Sequence, residues 1–155
     1  MKTLQAGDKA PQFSLLDQHG KTVSLTDFAG KKVLVYFYPK AMTPGCTVQA
    51  QGLRDIQNEL EAKNVVVLGI SPDAVKRLPK FIEKESLNFT LLSDEDHAVA
   101  DDFGVWGLKK FMGKEYDGIH RLTFLINEEG TIEHVFNKFK TKEHHIVVLE
   151  HLNNG

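Results

Sequence analysis

A chain of 155 residues has room for one hydrophobic core and not for two domains of ordinary size, so a single domain over residues 1–155 is expected. Nineteen basic against twenty-one acidic residues leave a formal charge of −2, and Lys31-Lys32 and Lys109-Lys110 are isolated pairs, which argues against a nucleic-acid partner. The start of the chain has no apolar leader, no later run approaches membrane-spanning length, and one cysteine cannot form an internal disulfide, so a soluble, unprocessed, cytoplasmic protein is expected.

In chain order, Pro11 to Leu15 and Thr22 to Leu25 are short alternating runs around a turn at Gln18-His-Gly20, and predict an amino-terminal β-hairpin. Thr26 to Gly30 makes a brief turn. Val33 to Tyr38 is a continuous β-branched and aromatic run, which predicts a buried strand ending at Pro39, a residue that cannot donate to a sheet ladder. From Pro44 to about Ala62, Val48, Ala50, Leu53, Ile56 and Leu60 line one face of a helix, with Asn64 as its stop. Val65 to Ile70 is a second buried strand, completing a strand–helix–strand crossover.

Pro72-Asp73 opens a further helical segment through Leu78, Phe81 and Leu87, in which Pro79 predicts a kink or a break. Phe89 to Leu92 is a short strand, and Ser93-Asp-Glu-Asp96 caps a helix through Ala98, Val99 and Phe103. Gly104 to Gly118, with Trp106, Phe111, Met112 and Tyr116, reads as an ordered surface loop whose apolar residues form a satellite cluster in preference to a cofactor site. Leu122 to Ile126 and Thr131 to Phe136 form a hairpin, and a last helix capped by Thr141 runs through Ile146, Val147, Leu149 and Leu152. The result is an α/β fold with a central mixed sheet flanked by helices.

The chemistry concentrates on Cys46. Thr43-Pro44 matches a helix start, with Thr43 as N-cap and Pro44 at the first helical position, which places Cys46 at the third. An N-cap hydroxyl accepts from the amide two or three residues on, so the Thr43 hydroxyl is expected beside the Cys46 N–H. Free amides and the positive end of the helix dipole favour the thiolate. Gly45 leaves the backbone open to a ligand, and Pro39 is placed to wall the sulfur off. A lone cysteine is more often a small buried hydrophobe, but this one lies beyond the carboxyl end of a strand, where α/β sheets bind ligands.

Pro39-x-x-x-Thr43-x-x-Cys46 resembles the active-site signature of peroxiredoxins. The flanking text, Tyr36 to Thr47, Gly69-Ile-Ser71, Phe89 to Asp94, Phe103 to Gly107, Met112-Gly-Lys114 and Tyr116 to Arg121, resembles the bacterioferritin comigratory protein, or peroxiredoxin Q, branch over nearly the whole chain. The resemblance implies a thioredoxin-like fold, no cofactor or metal, a monomer, and a peroxidase that reduces hydrogen peroxide and organic hydroperoxides through a sulfenic acid at Cys46. It also implies that Arg121 is the arginine set against the sulfur. Arg54, about two turns and 12 Å along the helix from Cys46, is the poorer candidate.

An ordinary thiol is about 3% ionised at pH 7, so complete ionisation gains at most about thirtyfold, or roughly 2 kcal/mol, where enzymes typically supply at least about 8. The remainder requires donors aimed at the two peroxide oxygens, for which the Gly45 and Cys46 amides and a fixed cation are the candidates. Where many relatives carry a resolving cysteine five residues on, this chain has Gln51; where many have Glu, it has Gln49. A sulfenic acid at Cys46 would then need an external thiol: thioredoxin, glutaredoxin or glutathione. A disulfide reductase would require a second cysteine at Thr43, and a redox sensor would use Cys46 without turnover. Seven histidines, including adjacent His144-His145, show no metal-ligand spacing and read as surface residues, while His120 could face Arg121 or turn away.

Overall fold

The computed structural model describes residues 1–154. Nine strands are present: β1 (Ser14–Asp17), β2 (Thr22–Ser24), β3 (Lys32–Phe37), β4 (Val65–Ser71), β5 (Thr90–Ser93), β6 (Trp106–Phe111), β7 (Lys114–Ile119), β8 (Thr123–Ile126) and β9 (Ile132–Phe136). Five α-helices accompany them: α1 (Pro44–Asp55), α2 (Gln57–Ala62), α3 (Leu78–Glu85), α4 (Ala98–Phe103) and α5 (His144–Asn154). Seven strands form one mixed sheet in the order β2-β1-β5-β4-β3-β8-β9, and β6 and β7 stand apart as a separate hairpin. Among the described residues no helix is long and apolar enough to cross a membrane.

β3 is the centre, parallel to β4 on one side and antiparallel to β8 on the other. Its alternation, continued one residue past its end to Tyr38, divides the core. Leu34, Tyr36 and Tyr38 join the layer of Leu53, Phe81 and Val148 from α1, α3 and α5; Val33, Val35 and Phe37 join the layer of Phe13, Phe103 and Phe124. Opposite Tyr36 in β4 stands Gly69, where a Cβ would lie 2.8 Å from the Tyr36 ring. The glycine is there for space.

Several expectations change. The helix expected from Pro44 to Ala62 is two helices, broken at Ile56 (φ −108°, ψ 12°), where the Gln57 side-chain amide donates to the Leu53 carbonyl that a continuous helix would give to a backbone N–H. The segment expected to open at Pro72 begins later, as a 3₁₀ turn at Val75–Arg77 followed by α3, with Pro79 in the first turn of α3, where its missing N–H costs nothing. Asp94 caps α4 by accepting from the Val99 and Ala100 amides at 3.1 and 2.9 Å. Thr141 opens a 3₁₀ turn before α5 and is not the cap of α5; Lys140 holds the capping position of that turn.

The largest change is at Gly104 to Gly118. It is the β6–β7 hairpin, closed by Met112 (φ 52°) and Gly113 (φ 79°). Such a two-residue turn is set by backbone geometry and has little sequence signature when methionine replaces the usual Asn or Gly. The expected satellite cluster exists only at its base, where Trp106 stacks on His97 with centroids 3.8 Å apart, while Leu108, Phe111 and Met112 are exposed.

Helix α1 meets α5 at Gly52, where an added Cβ would fall on the His145 ring. Gly52→Ala should therefore push the two helices apart and destabilise the protein by about 1–3 kcal/mol in urea unfolding, the usual cost of overpacking; a neutral effect would show that α5 yields freely.

Candidate active site

The carboxyl end of β3 and the start of β8 lie side by side because the two strands are antiparallel, with Tyr36 opposite Thr123. The chain leaving β3 opens α1, and the chain entering β8 carries Arg121. Cys46 and Arg121, seventy-five residues apart, meet there: Arg121 Nη1 donates to Cys46 Sγ at 3.2 Å. Arg54 is elsewhere, bonded to the Glu85 carbonyl and to Asp55.

Gly45 serves this contact. A Cβ at Gly45 would sit 3.0 Å from Arg121 Nη2, so the absent side chain lets the guanidinium lie over the first turn of α1. The group that approaches the glycine is the protein's own arginine. The first helical backbone bond is from the Thr47 N–H to the Thr43 carbonyl, at 2.9 Å, and among the described residues the Cys46 N–H has no partner.

Thr43 holds the N-cap position, but its hydroxyl does not accept from Cys46. It donates to the Lys40 carbonyl at 2.8 Å, closing the preceding loop. The expected cap bond is absent; the loop turns sharply at Met42, at φ 67°, and the hydroxyl bonds back to Lys40 instead. Pro39 follows Tyr38, the buried residue just past the end of β3, and is half-buried.

The loop is anchored from below by Asp73, which sequence reasoning missed. Its carboxylate accepts from the Ala41 N–H at 2.7 Å, the Ser71 hydroxyl at 2.9 Å and Arg77 Nε at 3.0 Å, and Arg77 also donates to the Ala41 carbonyl. An acidic residue two positions past a buried strand was the available signal.

Two more residues were missed in role. Gln49, fully buried, accepts from Arg121 Nη1 at 3.1 Å and meets His144 Nδ1 at 3.2 Å. His144 is not a surface residue: it is fully buried against Phe139, with Nε2 2.9 Å from the Thr123 hydroxyl. Its neighbour His145 diverges, as adjacent helical residues must. His120 turns away from the sulfur, to the Leu108 carbonyl. Gln51 also leaves the site and donates to Glu85 at 2.8 Å. Among the described residues no group of three metal-ligating side chains is present.

Burial dominates the electrostatics. Cys46 is 1% exposed in the layer that holds Tyr36 and Tyr38, whose hydroxyls have no partner among the described residues. Burial raises both phenols above the ordinary tyrosine range, so at neutral pH they are donors, not bases. Lys109 is lowered by burial first and then by the Arg121 charge. His144 is lowered to about 3 by burial, with the positive charges of His145 and Arg121 adding to it.

A central strand that delivers one thiol into the mouth of a helix, with an arginine donating to the sulfur, defines a thiol-based redox protein of thioredoxin-like architecture. The comparisons identify the group. The AhpC/TSA family model matches residues 6–135. Peroxiredoxin Bcp of Escherichia coli is 66% identical over 152 residues, spanning 98% of this chain and 97% of that one. A putative peroxiredoxin of the same name from Haemophilus influenzae is 65% identical over 152 residues and 98% of each chain. Among solved structures, the bacterioferritin comigratory protein of Xanthomonas campestris superposes with a TM-score of 0.86 at 34% identity, over 92% of this chain and 90% of that one. Peroxiredoxin Q of Xylella fastidiosa gives 0.92 at 28% identity, over 99% and 98%. The chain belongs to the AhpC/TSA family, in its bacterioferritin comigratory protein, or peroxiredoxin Q, branch.

The buried His144 has a consequence for stability. In the unfolded chain its imidazole takes up a proton near pH 6.5, whereas in the fold it stays neutral down to about pH 3. Between those values the unfolded state binds more protons, so stability is complete above pH 6.5 and falls as pH is lowered toward 3, by at most about 1.4 kcal/mol per unit. His144→Asn should flatten the pH dependence of urea-unfolding free energy in that window by up to one proton; an unchanged slope would place the imidazole in contact with water.

Proposed function

We propose that the protein is a thiol peroxidase in which Cys46 is the reacting nucleophile, a reading carried above all by the 3.2 Å contact between Arg121 and the Cys46 sulfur. The Xanthomonas relative has been described in terms of alkyl peroxide reduction, which supports hydroperoxides as the substrate class. The Cys46 thiolate attacks the terminal peroxide oxygen; the S–O bond forms as the O–O bond breaks, giving a sulfenic acid and water or an alcohol once the departing oxygen is protonated. The guanidinium and the amides at Gly45 and Cys46 face the charge that moves from sulfur to oxygen, which is where preorganised donors lower a barrier. Thr43, its proton committed to Lys40, presents lone pairs to the peroxide, and Pro39 shields the sulfur from bulk water.

Cys46→Ser should abolish peroxide consumption, and Arg121→Ala should slow the first oxidation step by about two to three decades while circular dichroism stays native. An Arg121→Ala rate equal to wild type would remove the arginine from the reaction.

Recycling is the second part of the proposal. With Gln51 bonded to Glu85 and no other cysteine in the chain, the sulfenic acid is reduced by an external thiol of the thioredoxin, glutaredoxin or glutathione type, through a mixed disulfide at Cys46. Because the sulfur is 1% exposed, the first turn of α1 must open for that thiol to reach it. Mass spectrometry after one equivalent of peroxide should show one added oxygen, replaced by the mixed-disulfide mass when glutathione is added, with steady-state turnover in excess thiol. An oxidised form that none of the three thiols reduces would leave a sensor without turnover.

A further inference from the structure

The Arg121 guanidinium is held at the sulfur by a buried chain of side chains: Arg121 donates to Gln49, Gln49 meets His144, and His144 meets Thr123. The donor and acceptor roles along it follow from one fact. Arginine only donates, so the Gln49 atom facing Arg121 at 3.1 Å is its oxygen. The Gln49 amide nitrogen then faces His144 Nδ1, which must offer a lone pair. A neutral imidazole with its lone pair on Nδ1 carries its proton on Nε2, and that proton goes to the Thr123 hydroxyl at 2.9 Å. Burial lowers the ring to about 3, so near pH 7 it is neutral. Should Nδ1 carry a proton, the amide of Gln49 would have to reverse, turning its NH₂ toward the guanidinium. Two donors would then face each other in a dry site, and the guanidinium would lose an oxygen that holds it beside Sγ.

We propose that His144 is a positioning residue for the reaction: by accepting from Gln49 it orients the Gln49 carbonyl toward Arg121, and so fixes the guanidinium that stabilises the Cys46 thiolate. His144 touches neither the sulfur nor a substrate; it acts through Gln49 and Arg121. The packing supports the role. Phe139 and Tyr36 lie at ring-centroid distances of 4.4 and 6.0 Å from the imidazole, and Thr123 stands in β8, two residues after Arg121, so the same strand delivers the arginine and the group that sets the tautomer. Position 49 supplies an amide, which has distinguishable ends and therefore needs to be told which way to point; a carboxylate there would not.

The inference rests on the reading of Cys46 as the peroxide-reactive thiol, but its test does not. The Cys46 thiol pKa is measured without peroxide, by ultraviolet absorbance of the thiolate and by the pH dependence of alkylation with iodoacetamide, in the full-length chain. His144→Leu removes the acceptor and should raise the thiol pKa by about one unit and slow peroxide reaction about tenfold. His144→Asn places an amide oxygen near the position of Nδ1 and should recover most of both losses. In an Arg121→Ala background His144→Leu should add nothing further, because its effect passes through the arginine. Should His144→Leu fail to fold, Thr123→Val, which removes the acceptor of the Nε2 proton and frees the tautomer, should shift the thiol pKa in the same direction. Equal behaviour of the Leu and Asn variants, an undiminished His144→Leu effect without Arg121, or a thiol pKa unmoved in Thr123→Val would overturn the proposal. A wild-type protein no faster with peroxide than a free thiol would instead overturn the peroxidase reading and leave the pKa comparison standing.

Discussion

The structure depends on one contact: a guanidinium from the start of β8 donating to a sulfur in the first turn of α1. The two elements are brought together by the antiparallel pairing of β8 with the central strand β3, which puts the entrance of one beside the exit of the other. A parallel β8 would deliver Arg121 to the opposite end of the strands. The helix mouth and the arginine both favour an anion, and the low polarity of the surrounding layer strengthens each of those interactions relative to water.

Holding an arginine against a buried sulfur has structural requirements, and the surrounding residues meet them. Gly45 gives the guanidinium room above the helix, and Gly69 gives Tyr36 room beneath it. Asp73 and Arg77 hold the loop between β3 and α1 by both an amide and a carbonyl of Ala41, so the helix begins at a defined place despite the left-handed turn at Met42. Gly69, Asp73 and Arg77 are far from the sulfur in sequence and close to it in effect.

Burial creates a conflict between the two halves of a thiol cycle. A sulfur with almost no exposure is protected from adventitious oxidants and sits among fixed donors, yet a protein thiol cannot approach it in that state. In a chain whose only cysteine is Cys46, with a glutamine bonded to Glu85 five residues on, the proposed recycling by an external thiol requires the first turn of α1 to open.

Much of this was legible in the chain itself. The strand before Pro39, the helix start at Thr43-Pro44 and the hairpins at either end of the sheet were read correctly, because periodicity and proline placement act over short windows, whereas Arg121 was set against Cys46 by a resemblance that covers nearly the whole sequence. The failures share a cause. The Thr43 hydroxyl chose Lys40 over Cys46, Gln57 interrupted a helix that its apolar spacing supports, and methionine closed a hairpin turn that composition assigns to asparagine or glycine. In each, a competing partner or backbone angle at one residue decided the outcome.

Local patterning therefore determined which segments become strands and helices, and that a lone thiol would open a helix beyond a buried strand. Beyond Arg121 and the helix amides, which polar groups gather around that thiol was decided by tertiary structure alone. Gln49, Thr123 and His144 are separated by as many as 95 residues, and nothing in their spacing distinguishes a solvated histidine from one sealed between α5 and the sheet. Hydrogen-bond partners in a buried layer are selected by which groups lack water once the layers close, and that condition exists only in the folded chain.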